Sequence, residues 1–309
     1  MLNLFPESDP VWFDLFDPSA EEMERVSHVV GAPLPDRHAL EEIETSSRLR
    51  ATSTVLTMSM PTSFHDYEGG AHVTPVGFVL TQHSLVTIRY SRLPSFEDAA
   101  DVCRSHPGRV TSLEAFAGLG EEVVDRVADT LETISGRLGA LSENAFRERV
   151  VDRQADRAKG GLRDQMRQVG RLGDQTSNIR DTLLGLGRII NFVNQRTEDW
   201  PMERPVARFA SLHDDVASLN DYANHLSEKV QFLLDALVGM IGIAQNEVFK
   251  ILTIVSIMGI PPTLVASIYG MNFKIIPELQ WHYGYPYALA LIVLSALAPL
   301  AWFRWRGWF

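Results

Sequence analysis

The chain has 309 residues, and its charge is unevenly distributed along the sequence. Residues 1–247 contain 24 basic and 38 acidic residues, whereas residues 248–309 contain four basic residues and one acidic residue. A long segment with a net charge of −14 argues against a nucleic-acid partner and favours cations as partners. The single cysteine, Cys103, excludes an internal disulfide framework and a metal site built from several cysteines.

Residues 1–112 combine strand and helix signals, which predicts an α+β domain. Ser19 precedes a helix-like run with glutamates in its first turn and is a candidate N-cap. Polar residues at 82–84 separate two apolar runs and predict a β-hairpin. The predicted strands are Trp12–Leu15, Ala51–Met60, Val76–Leu80 and Leu85–Tyr90. The N-terminus has no basic segment followed by an apolar run, so we expect no secretory signal.

Residues 113–204 favour a charged helical hairpin. The first part is an amphipathic helix in which apolar residues recur at steps of three and four: Val124, Val127, Leu131, Ile134, Leu138 and Leu141. Residues 145–181 are dense in charges of alternating sign, which is typical of solvent-exposed helices. Gly160 and Gly161 are a candidate turn. They are not a phosphate-binding loop, because no Lys-Ser/Thr pair follows at the required spacing.

Residues 205–273 predict one long helix that continues into an apolar segment, because no proline occurs between Pro205 and Pro261. Its first half carries a coiled-coil-like heptad seam: Leu212, Val216, Leu219, Ala223, Leu226, Val230, Leu233 and Leu237. A seam of this kind favours a symmetric oligomer with the helix near the axis. The alternative is a helical bundle within one chain.

Two uncharged segments, Ile251–Phe273 and Tyr285–Phe303, predict a transmembrane hairpin with a loop at 274–284. They contain 23 and 19 residues, and about 20 apolar residues cross a bilayer as a helix. The alternative is a buried hairpin in a soluble core. Aromatic residues cluster at the edges of the second segment, as in the aromatic belts of membrane proteins: Trp281, Tyr283, Tyr285, Tyr287, Trp302, Trp305 and Trp308.

The basic residues next to the two segments predict their orientation. Lys250, Arg304 and Arg306 flank the segments on one side, whereas Lys274 and Glu278 cancel each other in the loop. The positive-inside rule then places both termini in the cytoplasm, with residues 304–309 as a short basic and aromatic tail.

One face of the first segment is unusually polar for a membrane helix. The residues on this face follow one another at steps of three or four: Asn246, Phe249, Leu252, Ser256, Ile260, Thr263 and Ser267. Around a symmetry axis they would form polar rings that alternate with apolar constrictions, and apolar constrictions can gate a pore by dewetting. The alternative is helix packing with the hydroxyls bonded to their own backbone. Pro261 and Pro262 remove backbone donors and predict a kink.

The first segment ends with Tyr269-Gly270-Met271-Asn272. Glycine and asparagine alone would also suit a left-handed helix cap. The stretch from Asn246 to Pro286, however, resembles the pore helix and outer loop of the CorA family of magnesium and other divalent-cation channels. Gly-Met-Asn preceded by tyrosine is the signature of that family, and three elements match its outer loop: Pro277-Glu278-Leu279, Trp281 and Tyr285-Pro286. A weaker similarity covers the whole chain.

The resemblance implies a homopentameric, funnel-shaped channel of the bacterial inner membrane. It implies that the channel carries Mg2+, and also Co2+ and Ni2+, into the cytoplasm. Tyr269, Gly270, Met271 and Asn272 would form the selectivity mouth. Asn246 would lie at the cytoplasmic end of the pore, with a hydrophobic gate at Phe249, Leu252 and Ile260. Ser256, Thr263 and Ser267 would complete the pore lining.

The chemistry of Mg2+ agrees with this assignment. Mg2+ loses its water reluctantly, so a filter for the hydrated ion should offer neutral acceptors to its waters. The Asn272 side-chain oxygen and the Gly270 carbonyl are such groups. Neither segment contains Asp or Glu, and a carboxylate ring would hold a divalent cation too tightly to release it. Glu278 in the loop would raise the local cation concentration.

The resemblance also predicts a regulatory metal site on the long helix. The position of the family's regulatory carboxylate is Ser211 in this chain. Asp214 and Asp215, one turn further along, are the candidate ligands for Mg2+ in the cytoplasm.

Other functions remain open at this stage. The first alternative is a proton-coupled Zn2+ transporter like the ZntB branch of the superfamily, although Met271 favours the magnesium branch. The second is a membrane-anchored oligomeric scaffold that conducts no ions. We expect no enzyme, because the sequence contains no recognisable nucleophile, zinc-protease, P-loop or dinucleotide motif. Without an ATP site, transport would run down the electrochemical gradient of the ion.

Overall fold

A computed structural model describes residues 1–6, 10–42, 44–65, 71–105, 110–147, 161–272 and 276–307. The chain forms two compact units, which are treated separately below: a first unit, Met1–Asp235, and a second unit, Ala236–Phe309.

The first unit contains one six-stranded mixed sheet. The strands are β1 (Leu2–Phe5), β2 (Trp12–Phe16), β3 (Leu49–Ala51), β4 (Val55–His65), β5 (Ala71–Thr81) and β6 (Leu85–Arg89). Their order is β1-β2-β6-β5-β4-β3. Only β2 and β6 run parallel, with Trp12 opposite Leu85, and the other neighbours are antiparallel.

The predicted hairpin and strands are confirmed with small changes of boundary. β5 and β6 pair as a hairpin from Val76 opposite Arg89 to Leu80 opposite Leu85. The second predicted strand, Ala51–Met60, begins at Val55 rather than at Ala51, because Ala51 ends the separate strand β3. The sheet is buried because apolar side chains fill its inner surface, and Leu15, Val79 and Ile88 are fully inaccessible to solvent.

Four short helices accompany the sheet: α1 (Ala20–Val30), α2 (Arg37–Glu41), α3 (Thr45–Arg48) and α4 (Pro94–Ser105). The predicted N-cap at Ser19 is confirmed. Its hydroxyl accepts a hydrogen bond from the Glu22 backbone N–H, and the Glu22 side chain accepts one from the Ser19 N–H. This reciprocal capping box satisfies two backbone donors at the start of α1 and fixes where the helix begins.

Two long helices cover the sheet, α5 (Ser112–Arg147) and α6 (Gly161–Arg196). The amphipathic pattern predicted for α5 is confirmed, since its apolar residues from Val124 to Leu138 are buried and Leu141 is partly buried. Gly161 is the first residue of α6, whereas Gly160 and residues 148–159 of the charged segment lie outside the described residues.

The predicted long helix, α7, runs from Val206 to Tyr269 and has 64 residues. The part of its heptad seam that lies in the first unit, from Leu212 to Leu233, is buried by the same chain, with Leu219 only partly covered. Seam side chains lie against glycines of α5 and α6, with Leu212 beside Gly120, Val216 beside Gly187 and Val230 beside Gly173. The expectation that this seam holds copies of the chain together is therefore wrong, and the intrachain bundle is correct.

The second unit contains the rest of α7, a short 3-10 helix (Pro277–Gln280) and α8 (Gly284–Trp305). Both α7 and α8 contain an 18-residue apolar window long enough to cross a membrane, and 0% and 6% of these windows are buried. A core hairpin of a soluble protein would bury most of this surface. The buried-hairpin alternative is therefore wrong. Tyr283, Tyr285 and Trp305 are exposed as a membrane belt requires, and Trp308 lies outside the described residues.

Candidate functional site

The polar face predicted for the first span is a continuous, uncovered face of α7. At about 100° per residue, its seven residues from Asn246 to Ser267 fall within an arc of roughly 120°. The bulky side chains on this arc are highly exposed, including Phe249 at 64% and Ile260 at 65%. Thr253 falls on the same arc, although its position in the sequence pattern did not single it out. A partly polar face on a membrane helix must be covered either by another helix or by water, because lipid cannot hydrogen-bond to it.

Four of the predicted pore-lining residues line one groove of about 430 Å3: Ser256, Ile260, Thr263 and Ser267. Gly259 and Leu264 complete its wall. Both lie three or four residues from members of the predicted set, but the sequence analysis did not single them out because neither is polar. The groove alternates hydroxyl-bearing and apolar positions along the helix.

The hydroxyl of Thr263 donates a hydrogen bond to the backbone carbonyl of Gly259 at 2.7 Å. The Thr253 hydroxyl does the same to the carbonyl of Phe249 at 2.8 Å. The expected bonding of these hydroxyls to their own backbone is therefore present. It uses only the proton of each hydroxyl, so the oxygen lone pairs remain acceptors. A hydrated cation presents water protons outwards, and acceptors are what such an ion requires.

The helix continues through Pro261 and Pro262 to Tyr269. In an α-helix, the carbonyls of Ile257 and Met258 would accept hydrogen bonds from the N–H groups of residues 261 and 262. Both of these residues are prolines, which have no N–H, so the two helical hydrogen bonds are missing. Unpaired carbonyls at membrane depth need water or another polar group. The two prolines thus add acceptor oxygens to the same segment as the groove.

The signature residues lie at the end of α7. The Gly270 N–H donates to the Ala266 carbonyl at 3.0 Å and the Met271 N–H to the Ile268 carbonyl at 3.3 Å. Gly270 does not have a left-handed backbone, so the left-handed cap does not explain this glycine. A Cβ there would lie 3.2 Å from the Ala266 carbonyl oxygen, which shows how tightly the turn is wound. Met271 and Asn272 are exposed.

The signature and the outer loop meet at one cavity of about 440 Å3. Tyr269 and Gly270 line it together with Glu278, and Trp281, His282 and Tyr285 contribute further wall residues. Met271 and Asn272 are not among its lining residues. Gly284, which is buried, places its backbone against the carbonyl of Glu278. The sequence analysis did not single out His282 or Gly284, because each is informative only once the loop is folded.

The candidate regulatory residues lie on α7 in the first unit. Asp214 and Asp215 are both exposed, and the Ser211 hydroxyl lies 3.5 Å from one carboxylate oxygen of Asp215. Within the described part of the chain, no group of three or more His, Cys, Asp or Glu residues is placed to hold a metal ion. A single chain therefore supplies two adjacent carboxylates at this position.

Comparison with solved structures shows the fold. The complete structure of the CorA magnesium transporter from Methanocaldococcus jannaschii superposes with a TM-score of 0.75 at 20% identity, covering 96% of this chain and 91% of that one. The full-length CmaX protein superposes with a TM-score of 0.67 at 18% identity, covering 99% of this chain and 90% of that one.

Comparison with known sequences shows the family. The magnesium transport protein CorA of Sodalis glossinidius is 34% identical over 304 residues, covering 97% of this chain and 92% of the relative. The proteins of the same name from Haemophilus influenzae and Salmonella typhimurium are 33% identical over 301 residues, covering 96% and 97% of this chain and 92% of each relative. The family model described as CorA-like Mg2+ transporter protein matches residues 7–305. With two apolar helices suited to a membrane and the signature at the end of the first, the chain belongs to the CorA-like Mg2+ transporter family.

Proposed function

We propose that the chain forms a homopentameric channel that carries hydrated Mg2+, and also Co2+ and Ni2+, passively into the cytoplasm. The observation that carries this proposal is the uncovered groove of α7, where Ser256, Thr263 and Ser267 alternate with apolar side chains. Five copies of this face around an axis would enclose a pore. Its wall would offer neutral acceptors to the waters of the ion and no carboxylate that could trap it.

Selectivity resides at the end of α7. Asn272 and the Gly270 carbonyl would form rings of neutral oxygens that accept hydrogen bonds from the hydration shell. Tyr269 and the cavity it shares with Glu278 would hold these rings in place. Glu278 would attract cations to the mouth, because a carboxylate at an entrance raises the local cation concentration.

The hydrophobic constriction is assigned to Phe249, Leu252 and Ile260, whose side chains are exposed on the same face. Rings of such side chains would exclude water when the pore is narrow and admit it when the helices tilt apart. Asn246, one turn before Phe249, would mark the cytoplasmic end of the pore.

The driving force would be the membrane potential. An inside-negative potential contributes about 2.3 kcal/mol per charge per 100 mV, hence about 4.6 kcal/mol for a divalent ion. Both termini would lie in the cytoplasm of a bacterial cell, with the chain inserted in the inner membrane. Asp214 and Asp215 would bind cytoplasmic Mg2+ together with groups from a neighbouring copy, and that binding would favour the closed pore.

The test is uptake of Mg2+ into proteoliposomes under an applied inside-negative potential. Wild-type protein should conduct, and cobalt hexammine, a rigid mimic of hydrated Mg2+, should block it. Asn272→Ala should abolish uptake, whereas Asn220→Ala, which lies on α7 in the first unit, should not. Sucrose-gradient or native mass measurements should give five copies.

Other outcomes would replace the proposal. If Zn2+ enters instead of Mg2+ and its entry depends on a proton gradient, the chain is a proton-coupled zinc transporter. If a correctly assembled preparation passes no divalent ion, the chain is a scaffold and no channel.

A further inference from the structure

The first unit contains a cavity of about 880 Å3 that is separate from every residue assigned to ion transport. Its wall combines the sheet, the start of α4 and the facing sides of α5 and α6. Cavities of about 300–1,000 Å3 are typical of small-molecule sites.

The cavity lies where an open sheet commonly binds ligands. Phe16 is the last residue of β2 and Tyr90 directly follows β6, so the cavity is at the carboxyl ends of the two parallel strands. Ligands of α/β sheets bind outside the carboxyl ends of such strands. The chain then enters α4 at Pro94, and this helix has 12 residues. Pro94 has no N–H, and the Phe96 N–H already donates to the Leu93 carbonyl at 3.0 Å, so among the first three residues of this helix the Ser95 N–H is the donor left for an anion.

Charged side chains at the mouth favour a ligand with one negative charge. Arg92 lines the cavity, and among the described residues it forms no ion pair. Arg126 also lines it, but its guanidinium is held by Asp98 at 2.7 Å. Glu97 lies at the same mouth and would disfavour a second negative charge on the ligand. One free guanidinium beside a helix N-terminus suits a single carboxylate.

The interior of the cavity has mostly apolar walls and includes one buried hydroxyl without a hydrogen-bond partner. Thr62 is 5% exposed, and its hydroxyl has no hydrogen-bond partner within the described structure. A buried hydroxyl without a partner is unusual and commonly marks a site for a water or a ligand. The apolar wall is formed by Phe16, Leu93, Val123, Val127 and Ile179.

We propose that this cavity binds a small organic monocarboxylate with an apolar body. The carboxylate meets Arg92 and the first turn of α4, the apolar body lies between α5 and α6, and the Thr62 hydroxyl bonds a polar atom of the ligand. This makes the first unit a receptor for a small metabolite-like anion in addition to its structural role.

The test is a fluorine-NMR titration of the full chain in lipid nanodiscs with 6-fluoro-2-naphthoate. Signal changes in empty nanodiscs are subtracted. Arg92→Gln should weaken binding at least tenfold, and Val127→Trp, which fills the cavity, should abolish it. Thr62→Val should weaken binding, whereas Ser59→Ala should not, because Ser59 carries a similarly buried, unpartnered hydroxyl but does not line the cavity. Arg25→Gln, an exposed arginine of α1, is the matched charge control.

Three results would overturn the proposal. The first is that the wild type does not bind 6-fluoro-2-naphthoate, and the second is that Arg92→Gln binds it as tightly as the wild type does. The third is that the wild type binds the uncharged 6-fluoro-2-naphthamide as tightly as it binds the carboxylate. Melting temperatures are recorded for every variant. If Val127→Trp fails to fold, the comparison of Arg92→Gln with Arg25→Gln decides, because both arginines are exposed and neither fills the core.

Discussion

The backbone of Gly284 lies against the carbonyl oxygen of Glu278, so close that a Cβ at this glycine would overlap that oxygen. The contact joins the start of α8 to the 3-10 helix of the outer loop. It therefore sets the position of Glu278 in the cavity that also contains Tyr269 and Gly270. Gly284, 12 residues after Asn272 in the sequence, thus helps to shape the cavity that Gly270 lines.

The first prediction concerns this contact. Gly284→Ala should displace the loop, because backbone atoms cannot move aside as a flexible side chain can. We expect Mg2+ uptake in proteoliposomes to fall at least tenfold while the protein still assembles. Gly136→Ala is the matched control, since a Cβ there meets open space and alanine stabilises a helix by about 0.5–1 kcal/mol relative to glycine. Unchanged uptake by Gly284→Ala would show that the loop contact does not support the mouth.

The second prediction concerns the acceptor oxygen of Thr263. Thr263→Val keeps the shape of the side chain but removes the hydroxyl that bonds the Gly259 carbonyl. Each lost hydrogen bond to a hydrated ion costs about 0.5–1.5 kcal/mol, so Mg2+ uptake should fall by roughly two- to tenfold. Thr263→Ser should retain uptake because it keeps the oxygen.

The matched control for Thr263 is Ser295→Ala in α8. Ser295 donates its hydroxyl to the Ile292 carbonyl at 2.7 Å, yet it is not part of the groove. If Thr263→Val and Ser295→Ala reduce uptake equally, the effect belongs to helix packing and the acceptor role of Thr263 is excluded.

The third prediction separates intrachain packing from assembly. Leu226 is 1% exposed in the seam of α7, so Leu226→Ala should lower the free energy of unfolding by about 2–5 kcal/mol. Because the seam is buried by the same chain, the number of copies in the assembly should not change. Calorimetric melting and native mass measurements on the full chain check the two parts. Val206→Ala, at an exposed site of the same helix, should alter neither.

The heptad seam of α7 shows what sequence periodicity can predict and what it cannot. The spacing of four and three correctly predicted a helix with one buried face, because burial of any kind produces that spacing. It could not identify what buries the face. That depends on Gly120, Gly173 and Gly187, which lie up to 92 residues from the seam side chains they contact and allow α7 to approach α5 and α6 closely.

Local signals were more reliable than pairing signals. The capping box at Ser19 was predictable because both of its partners lie within four residues. The parallel pairing of β2 with β6 was not predictable, since it joins residues more than 70 positions apart. The same holds for the buried ion pair of Arg89 and Asp14 at 2.9 Å, which links these two strands. The signature at Gly270 was recognised by family resemblance, whereas the cavity it lines together with the loop required the folded structure.

The last prediction concerns the only cysteine. Cys103 lies on α4 and is partly buried, and this burial raises the pKa of its thiol, while the positive charge of Arg208 opposes the shift to a smaller extent. Arg208 itself is held by Glu121 through two hydrogen bonds of 2.8 and 2.6 Å. The thiolate is the reactive form, so a raised pKa leaves less of it at any given alkaline pH.

Iodoacetamide should therefore react with Cys103 more slowly at pH 8 than with an exposed cysteine in a peptide, and the midpoint of the profile of reaction rate against pH should lie at higher pH. Arg208→Gln removes the opposing charge and should move that midpoint further upwards. The raised pKa of Cys103 also makes stability depend on pH. Its contribution to the stability of the folded chain is fully present below the pKa of the thiol in the unfolded chain, and it is lost as the pH rises through the pKa of the thiol in the folded chain. Because the chain contains a single cysteine, mass spectrometry can follow the iodoacetamide reaction rate at each pH. A midpoint pH for Cys103 at or below that of the peptide cysteine would contradict the burial of this thiol.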